Sequence, residues 1–199
     1  MASNRIIEFI GFKLCINENV YEPAEDSELL ASILDINEGE IVVDLGSGSG
    51  ILGLVAKRMG GKVISVDVNP FATEATLCSA KVNSIDIDVI NCNVLDCLRV
   101  ISIDALIFNP PYLPVDERSS WIGYSWSGGI GGVEVLSKAL REIKARKYYF
   151  VYSSFSDEEI IYELLNEEGL EIDKVKEMVI GFETLKAVKV VVKSNPSRA

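Results

Sequence analysis

One stretch near the first quarter of the chain restricts the fold more than any other. Glu40-Ile41-Val42-Val43-Asp44 is a short run rich in β-branched residues, and Leu45-Gly46-Ser47-Gly48-Ser49-Gly50 breaks it abruptly. Apolar residues at helical spacing then resume from Ile51. β-Branched side chains favour a strand, and clustered glycines admit positive φ and let backbone N–H groups approach a ligand. The spacing predicts a strand over 40–44, a turn, and a helix over 51–58, with Lys57 and Arg58 in its last turn before Gly60-Gly61. A ligand would sit at the carboxyl end of that strand. A dinucleotide fingerprint needs glycine at 46, 48 and 51, but position 51 is Ile51. G-x-G-x-G after the acid Asp44 suits a nucleotide-like cofactor without a pyrophosphate, and Asp44 can face a cationic end of it. A turn with no ligand is the plain alternative.

The surrounding pattern alternates strand and helix. Residues 6–10 and 12–16 read as a hairpin about Gly11, and Ser27, Leu29, Leu30, Ile33 and Leu34 as one buried helix face. Residues 62–66 form a second strand ending at Asp67, about 20 residues past the glycines, where an acid can bond ribose hydroxyls. Asn69 caps the next helix with Pro70 at its first position. Strands follow at 88–92 and 105–108, a long loop at 109–129, a helix at 133–145 and a strand at 148–152. Loops that long inside a domain are usually functional. Ser156 and Glu159 read as a capping box for a helix closed by Gly169, whose Ile/Leu stripe over 160–165 is core. The acids Asp157, Glu158 and Glu159 suit that helix's positive end and need no other role. Strands at 171–180 and 184–193 have no helix between them and should pair antiparallel. The whole implies a mostly parallel sheet covered on both faces, with an antiparallel edge. We read one domain over 1–199, with hairpin and first helix in 1–36 and the cofactor-binding α/β core in 37–199.

Composition removes several chemistries. The chain has no histidine, so His general bases, Ser-His triads and His-ligated metals are all excluded. Cys15, Cys78, Cys92 and Cys97 show neither CxxC nor metal-finger spacing and read as buried free thiols of a reducing compartment. No metal site is expected. The formal net charge of −11 disfavours a nucleic-acid partner and favours a protein substrate or a basic partner. The first 20 residues, broken by Glu8 and Lys13, do not read as a signal peptide. No apolar run approaches the roughly 20 residues of a membrane span, so a cytoplasmic protein is expected.

Asn109-Pro110-Pro111-Tyr112 directly follows the strand ending at Phe108. Two prolines end the strand rigidly, and Asn109 must be non-helical because a proline follows it. A strand terminator would need only one proline. An amide or aromatic amino nitrogen is a poor nucleophile because its lone pair is delocalised. The Asn109 side-chain oxygen and the Pro110 carbonyl can accept its two N–H groups and aim the lone pair at a methyl sulfonium. Tyr112 can lay its ring on the planar target, and no strong base is required.

DLGSGSG, SVD and FNPPY in this order resemble the HemK/PrmC-like glutamine methyltransferases of translation release factors. Val20-Tyr21-Glu22-Pro23-Ala24-Glu25-Asp26-Ser27 and the region 121–133 resemble the short archaeal and eukaryotic branch, over about 20–192 of the chain. The resemblance implies a seven-stranded, Rossmann-like class I methyltransferase fold, mostly parallel with an antiparallel C-terminal strand, that binds S-adenosylmethionine. It implies that Asp44, Gly46, Ser47 and Gly48 line the cofactor and that Asp67 binds its ribose. Ser27 stands where the family usually has threonine near the methionine end, and Asn93-Val94 where it has Asp and an apolar residue against the adenine. Asp96 is the competing adenine contact. Asn109, Pro110, Pro111 and Tyr112 would be the catalytic corner, with Asn109 also beside the cofactor. The implied substrate is the glutamine of Gly-Gly-Gln in a class I release factor, over which the loop 113–129 could close. A small zinc-binding activator subunit is implied too, set against a strand edge near 85–92, with the zinc in that partner. The competing readings are methylation of an exocyclic nitrogen of DNA or RNA, methylation of protein lysine, and a non-catalytic cofactor-binding subunit. Trp121 and Trp126 are equally readable as loop packing or substrate contacts.

Overall fold

The computed structural model describes residues 5–93, 103–117 and 119–194. Strands β1 (Arg5–Phe9) and β2 (Phe12–Ile16) form an antiparallel hairpin, followed by helix α1 (Glu25–Ala31). The alternating part comprises β3 (Ile41–Leu45), α2 (Ile51–Arg58), β4 (Lys62–Asp67), α3 (Pro70–Val82), β5 (Asp88–Asn91) and β6 (Ile103–Phe108). After β6 come a short helix α4 (Trp121–Tyr124), a 3-10 turn (Ile130–Gly132), α5 (Glu134–Glu142), β7 (Ala145–Ser153) and α6 (Glu158–Glu167). Strands β8 (Leu170–Ile180) and β9 (Glu183–Val192) close the chain. The large sheet has seven strands in the order β5-β4-β3-β6-β7-β9-β8. Its first five strands are parallel; β9 pairs antiparallel with both β7 and β8. This is the mostly parallel sheet with an antiparallel edge that the alternation implied, and the seven-stranded class I methyltransferase fold that the resemblance implied.

Side-chain alternation divides the core into two layers. Val42, Ala105, Ile107, Tyr149, Val151 and Ala187 face α1, α2 and the small hairpin. Val43, Leu45, Leu106, Phe108, Tyr148, Phe150 and Val188 face α5 and α6. Strands buried on both faces read as continuous apolar runs, which is why β3, β6 and β7 were visible in the sequence.

Strand order reverses between β3 and β6, which are paired with Leu45 opposite Phe108. Gly46 and Asn109 therefore leave the sheet side by side, at the switch point where open α/β sheets bind ligands.

Several boundaries differ from expectation. The helix expected over 133–145 stops at Glu142, because Ala145 and Lys147 pair with Ile103 and Ala105 of β6. The first helix starts at Glu25, earlier than its apolar face suggested, and 32–33 form a turn. Asp157, not Ser156, caps α6 by accepting from the Ile160 N–H. The Ser156 hydroxyl instead donates to the Tyr112 carbonyl at 3.1 Å.

The free-thiol expectation is corrected. Cys15 of β2 and Cys78 of α3 form a disulfide, 63 residues apart in sequence with Cα atoms 5.9 Å apart. Cys92 is disulfide-bonded as well, and Cys97 lies outside the described residues. The hairpin packs against α3 and brings the first pair together, which spacing along the chain cannot reveal. The reducing compartment inferred from free thiols loses that support. Among the described residues, no helix is long and apolar enough to cross a membrane.

Candidate active site

A cavity of about 850 Å³ opens at the carboxyl ends of β3, β4 and β6. Of the residues expected in the site, Ser27, Gly46, Ser47, Gly48, Asp67, Asn93, Asn109, Pro110, Pro111 and Tyr112 all line it. Val94 and Asp96 lie outside the described residues. Trp121 and Trp126 both line the cavity, and the Trp126 ring N–H donates to Glu117 at 3.0 Å. The segment expected as a loop at 109–129 is tied together internally. Leu113 and Ser127 form a β-bridge, and Ser127 Oγ accepts from the Glu117 N–H at 2.9 Å.

Asp44 stands apart. It does not line the cavity; it is 1% exposed and lies under the glycine turn. Its Oδ2 accepts from the Gly53 N–H at 3.0 Å and the Ser65 hydroxyl at 3.3 Å. Its Oδ1 is buried with no hydrogen-bond partner among the described residues. Burial pushes its carboxyl up to about 7, and the neighbouring Asp67 adds to this, against the hydrogen bonds from Gly53 and Ser65. Through Oδ2, Asp44 supports the loop from below. The glycine that matters there is Gly53, two positions beyond the dinucleotide fingerprint. A Cβ on it would lie 2.7 Å from Ser65 Oγ and 2.8 Å from Asp44 Oδ2.

Asp67 does reach the cavity. Its Oδ2 accepts from the Gly48 N–H and its Oδ1 from the Asn69 N–H, each at 2.9 Å. Burial raises its carboxyl above the usual range, while the N–H groups of Gly48, Asn69 and Val68 oppose the rise. Thr76 of α3, which sequence reasoning passed over, braces the glycine turn. Its hydroxyl lies 3.0 Å from Ser47 Oγ and 3.1 Å from the Gly48 carbonyl oxygen.

The second missed residue is Asp26. It lies in the first turn of α1, where an acid is explained by the helix dipole alone and so attracts no notice. In the fold it is 3% exposed and gathers the corner around itself. Oδ2 accepts from Asn109 Nδ2 at 3.0 Å, from the Tyr21 hydroxyl at 3.1 Å and from the Tyr112 hydroxyl at 3.3 Å. Oδ1 accepts from the Ser27 N–H at 2.6 Å and from Ser27 Oγ at 3.2 Å. Asn109 Nδ2 also donates to Ser27 Oγ at 3.3 Å. Both N–H groups of Asn109 are therefore turned toward α1. Its Oδ1 is buried with no partner among the described residues. Burial first, then Asp26, Tyr21 and Glu183, hold the Tyr112 hydroxyl protonated well above the usual tyrosine range.

The site has the parts that S-adenosylmethionine needs. A glycine turn, a carboxylate at a strand end and an apolar wall including Leu52, Val66 and Phe108 line the cavity. The unpartnered Asn109 amide oxygen belongs to a lining residue that directly follows Phe108. Among the described residues no group of three or more His, Cys, Asp or Glu could hold a metal ion.

Comparison with known proteins agrees with this geometry. The family model of the methyltransferase small domain matches residues 19–121. MJ0928 of Methanocaldococcus jannaschii, named as a candidate protein N5-glutamine methyltransferase, is 30% identical over 192 residues, covering 92% of this chain and 97% of its own. Human methyltransferase HEMK2 is 30% identical over 190 residues, covering 86% and 89%. The solved Mtq2-Trm112 complex of E. cuniculi, described as responsible for methylating the termination factor eRF1, superposes with a TM-score of 0.70 at 25% identity. That match covers 88% of this chain and 99% of the solved one. The chain belongs to the methyltransferase small-domain family and, within it, to the HemK2/Mtq2-like archaeal and eukaryotic branch of the S-adenosylmethionine-dependent release-factor methyltransferases.

Proposed function

We propose that this enzyme methylates the N5 nitrogen of the glutamine in the Gly-Gly-Gln segment of a class I release factor. One observation carries the reading: the Asn109 amide is turned so that only its oxygen is left for a ligand. A buried acceptor without a donor is costly, and a primary amide N–H is the donor that satisfies it. With the Pro110 carbonyl as second acceptor, the target amide is held in one plane against the Tyr112 ring. The cofactor supplies an electrophilic methyl group on a sulfonium. The Asn109 oxygen and the Pro110 carbonyl would keep the nitrogen lone pair aimed at that methyl group, and the amide proton would pass to solvent on transfer. Orientation and fixed dipoles lower the barrier, and no histidine is needed. The net charge of −11 supports a protein target over nucleic acid.

A small activator subunit of the Trm112 kind fits the opposite edge of the sheet. Strand β5 is terminal there and pairs with β4 alone among the described residues. Val89 and Ile90 on it are half-buried, and Leu77 and Val82 on the adjoining α3 are exposed. An edge of this kind invites strand pairing or an apolar cover.

The test is transfer of labelled methyl from S-adenosylmethionine to a mixture of release factor, its Gln→Ala variant and nucleic acid, with and without the activator. Label on the Gly-Gly-Gln glutamine is the expected result. Label confined to nucleic acid would remove the proposal.

A further inference from the structure

The tip of the β8–β9 hairpin is built unlike a turn that serves only the fold. Ile180 pairs with Glu183 around Gly181 and Phe182, and Gly181 has φ 60 at the first central position, as a II′-type hairpin loop requires. The second position ordinarily takes a small polar residue. Here it is Phe182, which is 102% exposed, with Val179 at 72% beside it. Neither packing nor turn chemistry accounts for them.

The tip is joined to the active site. Strand β9 runs antiparallel to β7, and their last pair is Ser153 with Leu185, so residues 179–183 emerge at the same end of the sheet as Asn109. The Ser154 N–H donates to the Thr184 carbonyl at 2.8 Å, and the Thr184 N–H donates to Ser154 Oγ at 3.0 Å. Two residues on, Ser156 binds the Tyr112 carbonyl. Glu183 lies close enough for its charge to act on both Tyr112 and Tyr21, and its Oε1 is buried with no partner among the described residues. The 3-10 turn is stitched to the same place. Its Gly131 carbonyl accepts from the Asp157 N–H at 2.8 Å, and a Cβ on Gly132 would lie 2.2 Å from the Tyr112 oxygen. Three segments tied to Tyr112 thus each present an exposed large apolar side chain: Phe182, Phe155 and Ile130.

We infer that this apolar rim, with Phe182 at its apex, is the docking surface for the folded body of the protein whose flexible segment enters the site. The inference rests on the glutamine reading above and adds the surface that selects the whole protein over a loose peptide. Residues 129–132, 154–157 and 179–183 contain no Lys or Arg, and their only charges are Asp157 and Glu183. A phosphate backbone would find nothing to neutralise it there, whereas an apolar protein patch with a basic margin matches both features. Ser156 ties the rim to the Tyr112 carbonyl, and the hairpin tip lies at the same end of the sheet as Asn109, so a partner seated on the rim has its target beside the site.

Steady-state methylation of an intact class I release factor and of a short Gly-Gly-Gln peptide, by wild type, Phe182→Ser and Val179→Ser, tests this. KM for the intact factor should rise about tenfold in Phe182→Ser, as expected for an aromatic anchor. Peptide kinetics and cofactor affinity should stay at wild-type values. Unchanged kinetics on the intact factor, or equal losses on factor and peptide, would overturn the inference. So would a wild-type dimer that Phe182→Ser converts to monomer, since the rim would then belong to a second copy. Wild-type transfer to neither substrate would instead overturn the glutamine reading, and the assigned occupant with it.

Discussion

Asp26 holds Asn109 across 83 residues of chain, with Oδ2 3.0 Å from Nδ2. The bond fixes which end of the amide is left without a partner. A free asparagine could present either its oxygen or its N–H groups, and only the oxygen can receive an amide donor. Asp26 is thus a positioning residue, acting through Asn109 and Tyr112.

Replacing Asp26 by Asn keeps the shape but lets the two amides choose among several orientations. We expect kcat to fall about 10²-fold, the scale of losing one oriented dipole. Cofactor affinity should stay within a few-fold. Isothermal calorimetry beside single-turnover transfer separates the two; a matching fall in cofactor affinity would mean that Asp26 builds the cofactor site instead.

Asp44 links stability to pH. Its folded-state pKa of about 7 lies above the ordinary 3.8, so the folded chain binds this proton more tightly than the unfolded chain. The resulting contribution is complete below pH about 4 and is lost as pH rises through about 7. Asp44→Asn should flatten that fall, at roughly 1.4 kcal/mol per pKa unit removed. Urea unfolding of the cofactor-free protein between these pH values measures it; parallel wild-type and variant slopes would contradict the assignment.

The Cys15–Cys78 bridge closes a long loop, 63 residues in sequence separation. In the chain-entropy account such a closure contributes about 4 kcal/mol, less any native strain. Cys15→Ser should therefore lower Tm by several degrees without changing kcat. Thermal melts of wild type with and without reductant give the control, and equal Tm values for all three samples would contradict the contribution.

Gly53 admits no side chain. Gly53→Ala forces a methyl against Asp44 and Ser65, and a loss of about 1–3 kcal/mol is expected, with weaker cofactor binding because the turn moves. Chemical denaturation and a cofactor titration test this; a variant with wild-type stability would show that the helix start can shift freely.

What was readable in the sequence was local. The run ending at Asp44, the glycines after it and the tetrapeptide at Asn109 are each contiguous, so their strand, turn and corner geometry follow from residue type. Their meeting follows from the sheet, since Leu45 pairs with Phe108. The hidden parts depend on contacts between distant segments. Asp26 looks like an ordinary first-turn acid until Asn109, Tyr21 and Tyr112 converge on it. Asp44 reads as a ligand contact, and its bracing of the turn shows only when Gly53 and Ser65 are seen to donate to its Oδ2. Cys15 and Cys78 have no informative spacing, and Ser156 reads as a cap although its hydroxyl goes to Tyr112. Ala145 and Lys147 read as helix because nothing nearby reveals their partners in β6.

The most direct test of the account is the single-turnover rate of methyl transfer to a Gly-Gly-Gln peptide by Asn109→Ala, with the cofactor Kd measured in parallel. Loss of the oriented acceptor should slow transfer by about 10³-fold while Kd changes only a few-fold. Transfer at a near-wild-type rate would contradict the claim that the Asn109 oxygen steers the target nitrogen.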